Sequence, residues 1–135
     1  MLDLVLSGAA LLTTALLFGG MLLFAAGFAA FAFKALPLPD ARALIRKAFP
    51  PFYLFVMLTA GAAALLSWPR DPLSALGLAS IALTTVPARQ LLMPAINRAT
   101  DLGLKARFAR LHGLSVLITL VHIVVAAVIV LRLAR

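Results

Sequence analysis

Charged residues divide the chain into four long stretches that carry no charge and are rich in leucine, alanine, glycine and phenylalanine. The stretches lack the alternation of polar and apolar positions that is typical of membrane-barrel strands. About 20 apolar residues of α-helix cross the roughly 30 Å hydrocarbon core of a bilayer. The pattern therefore predicts four membrane-spanning helices, at about residues 5–33, 50–68, 73–95 and 111–132.

Two of these stretches have unusual lengths. The first, residues 4–33, is longer than an upright span needs and much longer than the 7–15-residue core of a signal peptide. We therefore expect a span that either tilts or begins or ends outside the hydrocarbon. The third, residues 72–88, is short. Its helix is therefore expected to continue past Arg89 towards Pro94.

The composition supports a membrane protein. Of 135 residues, 64% are hydrophobic and only 12% are charged, and the mean hydropathy is +1.14. A soluble domain of this length still exposes about a third of the surface of its unfolded chain, which is too much for this many apolar residues. A soluble enzyme, a nucleic-acid binder and a disordered chain are therefore excluded. We predict a single all-α domain over residues 1–135, an integral membrane four-helix bundle.

The basic residues predict how the bundle is oriented. Nine of them lie in the first connection or at and between the last two spans: Lys34, Arg42, Arg46, Lys47, Arg89, Arg98, Lys105, Arg107 and Arg110. Three lie on the other side: Arg70, Arg132 and Arg135. By the positive-inside rule, the two basic connections face the cytoplasm and both termini lie outside it. The net charge of +8 then favours attraction to anionic headgroups over binding of nucleic acid.

Each basic connection is expected to contain a short amphipathic helix. In residues 41–49 the apolar side chains share one helical face and the basic ones the opposite face, with Asp40 as the predicted N-cap. Residues 97–111 repeat this arrangement around Leu104, Phe108 and Leu111. We expect both helices to lie in the membrane interface.

The chain offers few groups for catalysis. It contains no cysteine and no glutamate, and its four aspartates lie outside the predicted spans or at their ends. An acidic proton relay inside the membrane therefore has no carboxylate to build it. No Ser-His-acid arrangement is present, so we predict no catalytic residues and no metal-binding cluster.

The last span carries a polar face on which Ser115, Thr119 and His122 lie together with His112. His122 is close to the middle of the span, so its imidazole should point into the bundle. One interpretation is a hydrogen bond to a hydroxyl of another helix, from a set of five residues: Thr13, Thr14, Thr59, Thr84 and Thr85.

The other interpretation is a cofactor ligand, with haem b or copper held by His122 or His112. The two histidines are about 15 Å apart along one helix, so they cannot share one haem iron. A second ligand would have to come from another helix, for which three methionines are available: Met21, Met57 and Met93.

Arg89 is the other polar residue that is costly inside a membrane. Near the cytoplasmic end of its span it can extend towards the interface, where Asn97 and Gln90 are possible partners. One interpretation is that Arg89 helps to fix the orientation of its span in the membrane. The alternative is a site for an anionic ligand, whose candidate residues are Arg89, Asn97, Ser115 and Thr119, with His112 at a similar depth.

Six segments in order along nearly the whole chain resemble the transmembrane-protein-205-like family, which includes a bacterial membrane domain of unknown function. They are FGG at 18–20, FKALP at 33–37, AFPPFY at 48–53, TVPAR at 85–89, MPAIN at 93–97 and FARLHGLS at 108–115. The resemblance implies a four-helix membrane bundle without established catalytic residues. Thr119 departs from the asparagine that is frequent in the family. A looser resemblance links the chain to four-helix copper-resistance and haem-pathway membrane proteins, whose first-span histidine is missing here.

Three functional hypotheses follow. The first is a membrane protein without its own catalysis that serves as an accessory or structural subunit and binds other membrane subunits or copies of itself. The second is a haem- or copper-binding redox protein that uses His122 or His112. The third is a transport or tolerance factor for small solutes. In each case we expect a multi-pass protein of the bacterial inner membrane.

Overall fold

The computed structural model describes residues 1–135 as four long helices joined by three short connections. The helices are α1 (Leu2–Ala35), α2 (Leu38–Ser67), α3 (Pro72–Asp101) and α4 (Lys105–Leu133). Each is long and apolar enough to cross a membrane, and no strand is present. The predicted all-α membrane bundle with four spans is confirmed.

The four helices form a ring in which each packs against its neighbours along the chain, and α4 closes the ring against α1. The interior contains bulky side chains such as Leu17 and Leu78, and fully buried alanines such as Ala60 and Ala126. Lipid tails are as apolar as leucine and provide no hydrophobic force between helices. Small buried residues therefore contribute by letting the backbones approach closely.

The two ends of the bundle differ in charge. The connections at residues 36–37 and 102–104 lie at one end, here called the basic end. Eight of the twelve lysines and arginines lie in or close to it: Lys34, Arg42, Arg46, Lys47, Arg98, Lys105, Arg107 and Arg110. The two chain termini and the connection at residues 68–71 lie at the other, terminal end.

The connections differ from the sequence prediction in one respect. Residues 41–49 are helical as predicted, but they form the beginning of α2, which runs without interruption through Pro50 and Pro51. Each proline lacks the amide hydrogen that would bond to the carbonyl four residues earlier. Those carbonyls belong to Arg46 and Lys47, which are exposed, so water can replace the lost bonds. The prediction of a separate interfacial helix in the first connection is therefore wrong.

The second connection shows the same difference. Residues 97–101 extend α3 and residues 105–111 begin α4, so only residues 102–104 separate the two helices. Gly103 makes this short turn possible because its φ of 65° lies in the left-handed region that side chains disfavour. α3 continues past Arg89 to Asp101, which confirms the predicted extension of the third span.

Two helices contain a widened turn with π-helical hydrogen bonding. In α1 it covers Leu23–Phe28, where Phe24 stacks on Phe52 of α2 with 3.9 Å between ring centroids. In α3 it covers Ala88–Leu92 and follows Pro87 directly. A proline inside a helix interrupts the regular bonding pattern, which accounts for the widened turn at that point.

Ion pairs join the helices at both ends. At the basic end, Arg46 of α2 donates to both carboxylate oxygens of Asp101 of α3, at 2.7 and 2.8 Å. At the terminal end, Arg70 pairs with Asp3. There too Arg132 of α4 pairs with Asp71 at 3.1 Å. Exposed pairs contribute about 0–1 kcal/mol each, so their main effect is to define which helix ends are neighbours.

Replacing Gly103 with alanine should lower the free energy of unfolding by about 1 kcal/mol, because a Cβ is disfavoured at positive φ. The matched control is Gly113→Ala on the exposed side of α4, where a Cβ meets nothing within 4 Å. Alanine is the better helix former by about 0.5–1 kcal/mol, so the control should be neutral or stabilising. Thermal unfolding in one detergent measures both variants. Equal effects of the two changes would contradict the proposed role of Gly103.

Asp71→Ala should also destabilise the bundle. The Asp71 carboxylate caps α3 by accepting hydrogen bonds from the Ser74 amide at 3.1 Å and the Ser74 hydroxyl at 2.5 Å. Loss of such a cap costs about 0.5–2 kcal/mol. Asp40→Ala is the control, because Asp40 lies in the first turn of α2 and forms no side-chain cap. An effect of Asp40→Ala as large as that of Asp71→Ala would contradict this assignment.

The contribution of Asp71 to stability depends on pH. Hydrogen bonds from Ser74, together with Arg132, hold the pKa of the Asp71 carboxyl below its ordinary value. Because this pKa is lower in the folded state, the charged carboxylate stabilises the fold. The stabilisation is complete above the pKa of the unfolded chain, about 3.9, and is lost as the pH falls through the pKa of the folded state. The stability difference between the native chain and Asp71→Ala should therefore shrink below about pH 4.

Candidate functional site

The polar face of α4 is directed into the bundle. Ser115 and His122 are buried and Thr119 is partly buried, and all three border a small cavity between the helices. Tyr53 from α2 and Thr85 from α3 complete its polar lining. The structure thus brings together four polar residues singled out from the sequence, Thr85 among them, and adds the hydroxyl group of Tyr53.

His122 forms a hydrogen bond with Thr84 of α3. Its Nε2 lies 2.8 Å from the Thr84 hydroxyl oxygen. That hydroxyl also lies 2.6 Å from the carbonyl oxygen of Ser80, which accepts its single proton. The Nε2 of His122 must then carry a hydrogen and donate it, which leaves Nδ1 as an acceptor. The hydrogen-bonded histidine predicted from the sequence is found, with one of the five predicted threonines as its partner.

The cavity has a volume of about 10 Å³, which is about the size of one water molecule. The Tyr53 hydroxyl and the Ser115 hydroxyl face each other across a long distance of 3.4 Å. Thr85 and Thr119 donate to carbonyls of their own helices, at 2.7 and 3.0 Å, so their oxygens can still accept. The cavity therefore offers both donors and acceptors to a very small polar ligand.

The two histidines lie in different surroundings. His112 is exposed and stacks on Phe108, with 5.3 Å between ring centroids and 6° between ring planes. Met21, one of the methionines considered as a second ligand, lines the same cavity as His122. As the helices are packed, this cavity is far too small for a porphyrin. The haem hypothesis stays a prediction.

The residues considered for an anion site are dispersed. The Nε of Arg89 is buried and has no hydrogen-bond partner. Asn97, two turns further along α3, is partly buried, and no side-chain hydrogen bond joins it to Arg89 or to His112. Ser115 and Thr119 belong to the cavity instead. The structure therefore does not bring the four candidates together.

Two features were not predicted from the sequence. The first is Tyr53, whose only signal was that the single tyrosine of the chain stands in an uncharged span. The second is a groove of about 750 Å³ between α3 and α4, here called the α3–α4 groove. Its walls are mostly apolar and extend from Ser80 to Ala95 on α3 and from Leu111 to Val125 on α4, with His122 and Thr84 among the lining residues.

A family model described as a domain of unknown function (DUF4149) matches residues 12–105. The match covers most of α1 and all of α2 and α3, and it reaches the first residue of α4. No curated protein and no solved structure matches the chain. The predicted resemblance to a membrane domain of unknown function is confirmed. Kinship with the transmembrane-protein-205-like, copper-resistance and haem-pathway proteins stays a prediction.

The His122–Thr84 hydrogen bond should be measurable as an interaction energy. Thr84→Val, His122→Phe and the double variant form a double-mutant cycle. Subtracting the effects of the two single variants from that of the double variant leaves the interaction energy between the two side chains. Hydrogen bonds between membrane helices average about 0.6 kcal/mol, with a maximum of about 1.7 kcal/mol. We expect a coupling energy in this range, measured by unfolding in mixed micelles. Strictly additive effects would show that the bond does not contribute to stability.

Proposed function

The chain belongs to the DUF4149 family, and we propose that it acts as a membrane protein without its own catalysis, a structural subunit of a larger membrane assembly. One observation carries this proposal: side-chain contacts between helices occur at three depths of the bundle. Arg46 pairs with Asp101 near the basic end, His122 with Thr84 within the spans, and Arg132 with Asp71 at the terminal end. Polar groups that would otherwise be available for chemistry hold the helices together.

The contacts have a physical consequence. An unpaired polar group in hydrocarbon costs several kcal/mol by order of magnitude, so the His122–Thr84 bond within the spans is not easily exchanged for one with lipid. Such a bundle behaves as a stiff unit with an apolar outer surface. Each helix contributes large apolar side chains to that surface, among them Leu12, Leu58, Leu83 and Leu120. Membrane helices of other subunits, or of a second copy, pack on surfaces of this kind.

The charge distribution supports one orientation of this subunit. Eight basic residues lie at the basic end and three at the terminal end. On the positive-inside rule, the basic end faces the cytoplasm of a bacterial cell, and both termini lie on the outer side of its inner membrane. Anionic headgroups of the cytoplasmic leaflet attract the basic end.

Photo-crosslinking in native membranes tests the proposed assembly. A photoreactive amino acid is placed at one lipid-facing position of each helix: Leu12, Leu58, Leu83 or Leu120. We expect at least one helix to capture a polypeptide reproducibly, whereas the others capture lipid only. A photoreactive residue at exposed Asp40, outside the apolar surface, serves as the control. Lipid adducts alone at all four positions, together with a monomer in mild detergent, would contradict the proposal.

Met21 and His122 line one cavity, and this favours copper binding as a second candidate function. Thioether and imidazole groups both suit copper, and thioethers in particular select Cu(I). Metal analysis and a visible spectrum of the gently purified protein test both the copper and the haem hypothesis. One copper per chain that is lost in His122→Phe and kept in His112→Phe would support this candidate. The transport or tolerance hypothesis stays a prediction.

A further inference from the structure

The shape of the α3–α4 groove indicates what kind of molecule it accepts. Its wall on α3 extends from Ser80 to Ala95, which corresponds to about 22 Å at 1.5 Å per residue. The walls along this length are mostly apolar. The groove therefore suits an extended hydrocarbon chain.

Towards the basic end, arginines follow the lining residues of the groove at helical spacing on both helices. On α3 the lining positions Leu91 and Ala95 continue at helical spacing to Arg98. On α4 the lining positions Leu111 and Leu114 continue in the other direction to two further residues, Arg107 and Arg110.

All three arginines are exposed, and none of them forms an ion pair within the chain. Lys105, at the start of α4, lies on the opposite side of the helix. Three arginines without a carboxylate partner thus lie beyond one end of a long apolar groove. Arginine side chains bind phosphate oxygens in bidentate geometry, which makes this an arrangement for an anionic head joined to an apolar tail.

We propose that the α3–α4 groove is a binding site for an anionic phospholipid. One acyl chain lies along the groove between α3 and α4, and the phosphate group lies among Arg98, Arg107 and Arg110. The basis is charge complementarity at one end of the groove combined with a long, mostly apolar wall that leads away from it. The site is independent of the assembly proposed above, because a monomer has it as well.

A lipid titration of the purified full-length protein tests the site. The probes are phosphatidylglycerol and phosphatidylcholine, both with two oleoyl chains, and bound lipid is counted by native mass spectrometry. We expect phosphatidylglycerol to bind at least about tenfold more tightly, since each basic residue adds attraction to an anionic lipid. Equal binding of the two lipids by the native protein would overturn the proposal.

Two charge variants separate the site from the general attraction of the basic end. The triple variant Arg98→Gln, Arg107→Gln and Arg110→Gln should lose the preference for phosphatidylglycerol. The control triple variant Lys34→Gln, Lys47→Gln and Lys105→Gln removes the same charge from exposed positions that do not line the groove. It should keep the affinity within about twofold. An equal loss in both triple variants would show diffuse electrostatics and overturn the proposal.

A second pair of variants tests the acyl chain. Ala95→Phe places a ring in the groove and should weaken binding of both lipids, whereas Ala62→Phe, on the exposed side of α2, should not. Ala95→Leu replaces Ala95→Phe if the larger side chain impairs folding, as judged by thermal unfolding. Unchanged lipid binding in a folded Ala95 variant would contradict the placement of the chain.

Two further experiments test whether a different molecule occupies the α3–α4 groove. Glycerol phosphate carries the head without chains and should fail to compete at concentrations at which phosphatidylglycerol saturates the site. Full competition would assign the arginines to free phosphate and overturn the lipid site. A photoreactive residue at Leu117, within the groove, should capture lipid. Capture of a polypeptide there instead would show that a partner helix occupies the groove.

Discussion

A polar group inside a hydrocarbon layer is costly unless it finds a hydrogen-bond partner within the protein, and this constraint shapes most of the chain. The backbone meets it by forming four long helices. Hydroxyl side chains meet it locally: Thr14, Thr85 and Thr119 each donate to the carbonyl four residues earlier in their own helix. His122 has no such local partner, so it bonds to Thr84 on α3. Satisfying one imidazole thereby joins two helices within the membrane.

The same constraint explains which sequence predictions are correct. Charge is expensive in hydrocarbon, so uncharged stretches locate the spans, and a histidine in the middle of a span has to be buried. The prediction of separate interfacial helices failed because an amphipathic pattern indicates the faces of a helix and not the residue at which the helix ends. At Pro50 and Pro51 the free carbonyls belong to exposed residues of the basic end, where water can reach them, so the prolines do not end α2.

Other features of the candidate site depend on how helices are placed relative to one another, which the residue pattern of a single helix does not encode. The sequence identified five threonines as partners for His122, and only packing selects Thr84. Tyr53 reaches the cavity because α2 faces α4 at that level. The α3–α4 groove likewise requires the actual separation of two helices, and the widened turn that follows Pro87 lies within its wall.

His122 connects the two candidate sites, because it lines both the small polar cavity and the α3–α4 groove. Thr84, its partner, also lines the groove. A chain lying in the groove would therefore contact the pair that holds α3 to α4 within the membrane. Anything that binds the packed bundle in preference to the separated helices stabilises it by mass action. Lipid binding and the stability of the bundle are thus expected to be coupled through His122 and Thr84. The stability of the subunit then depends on which lipids its membrane contains.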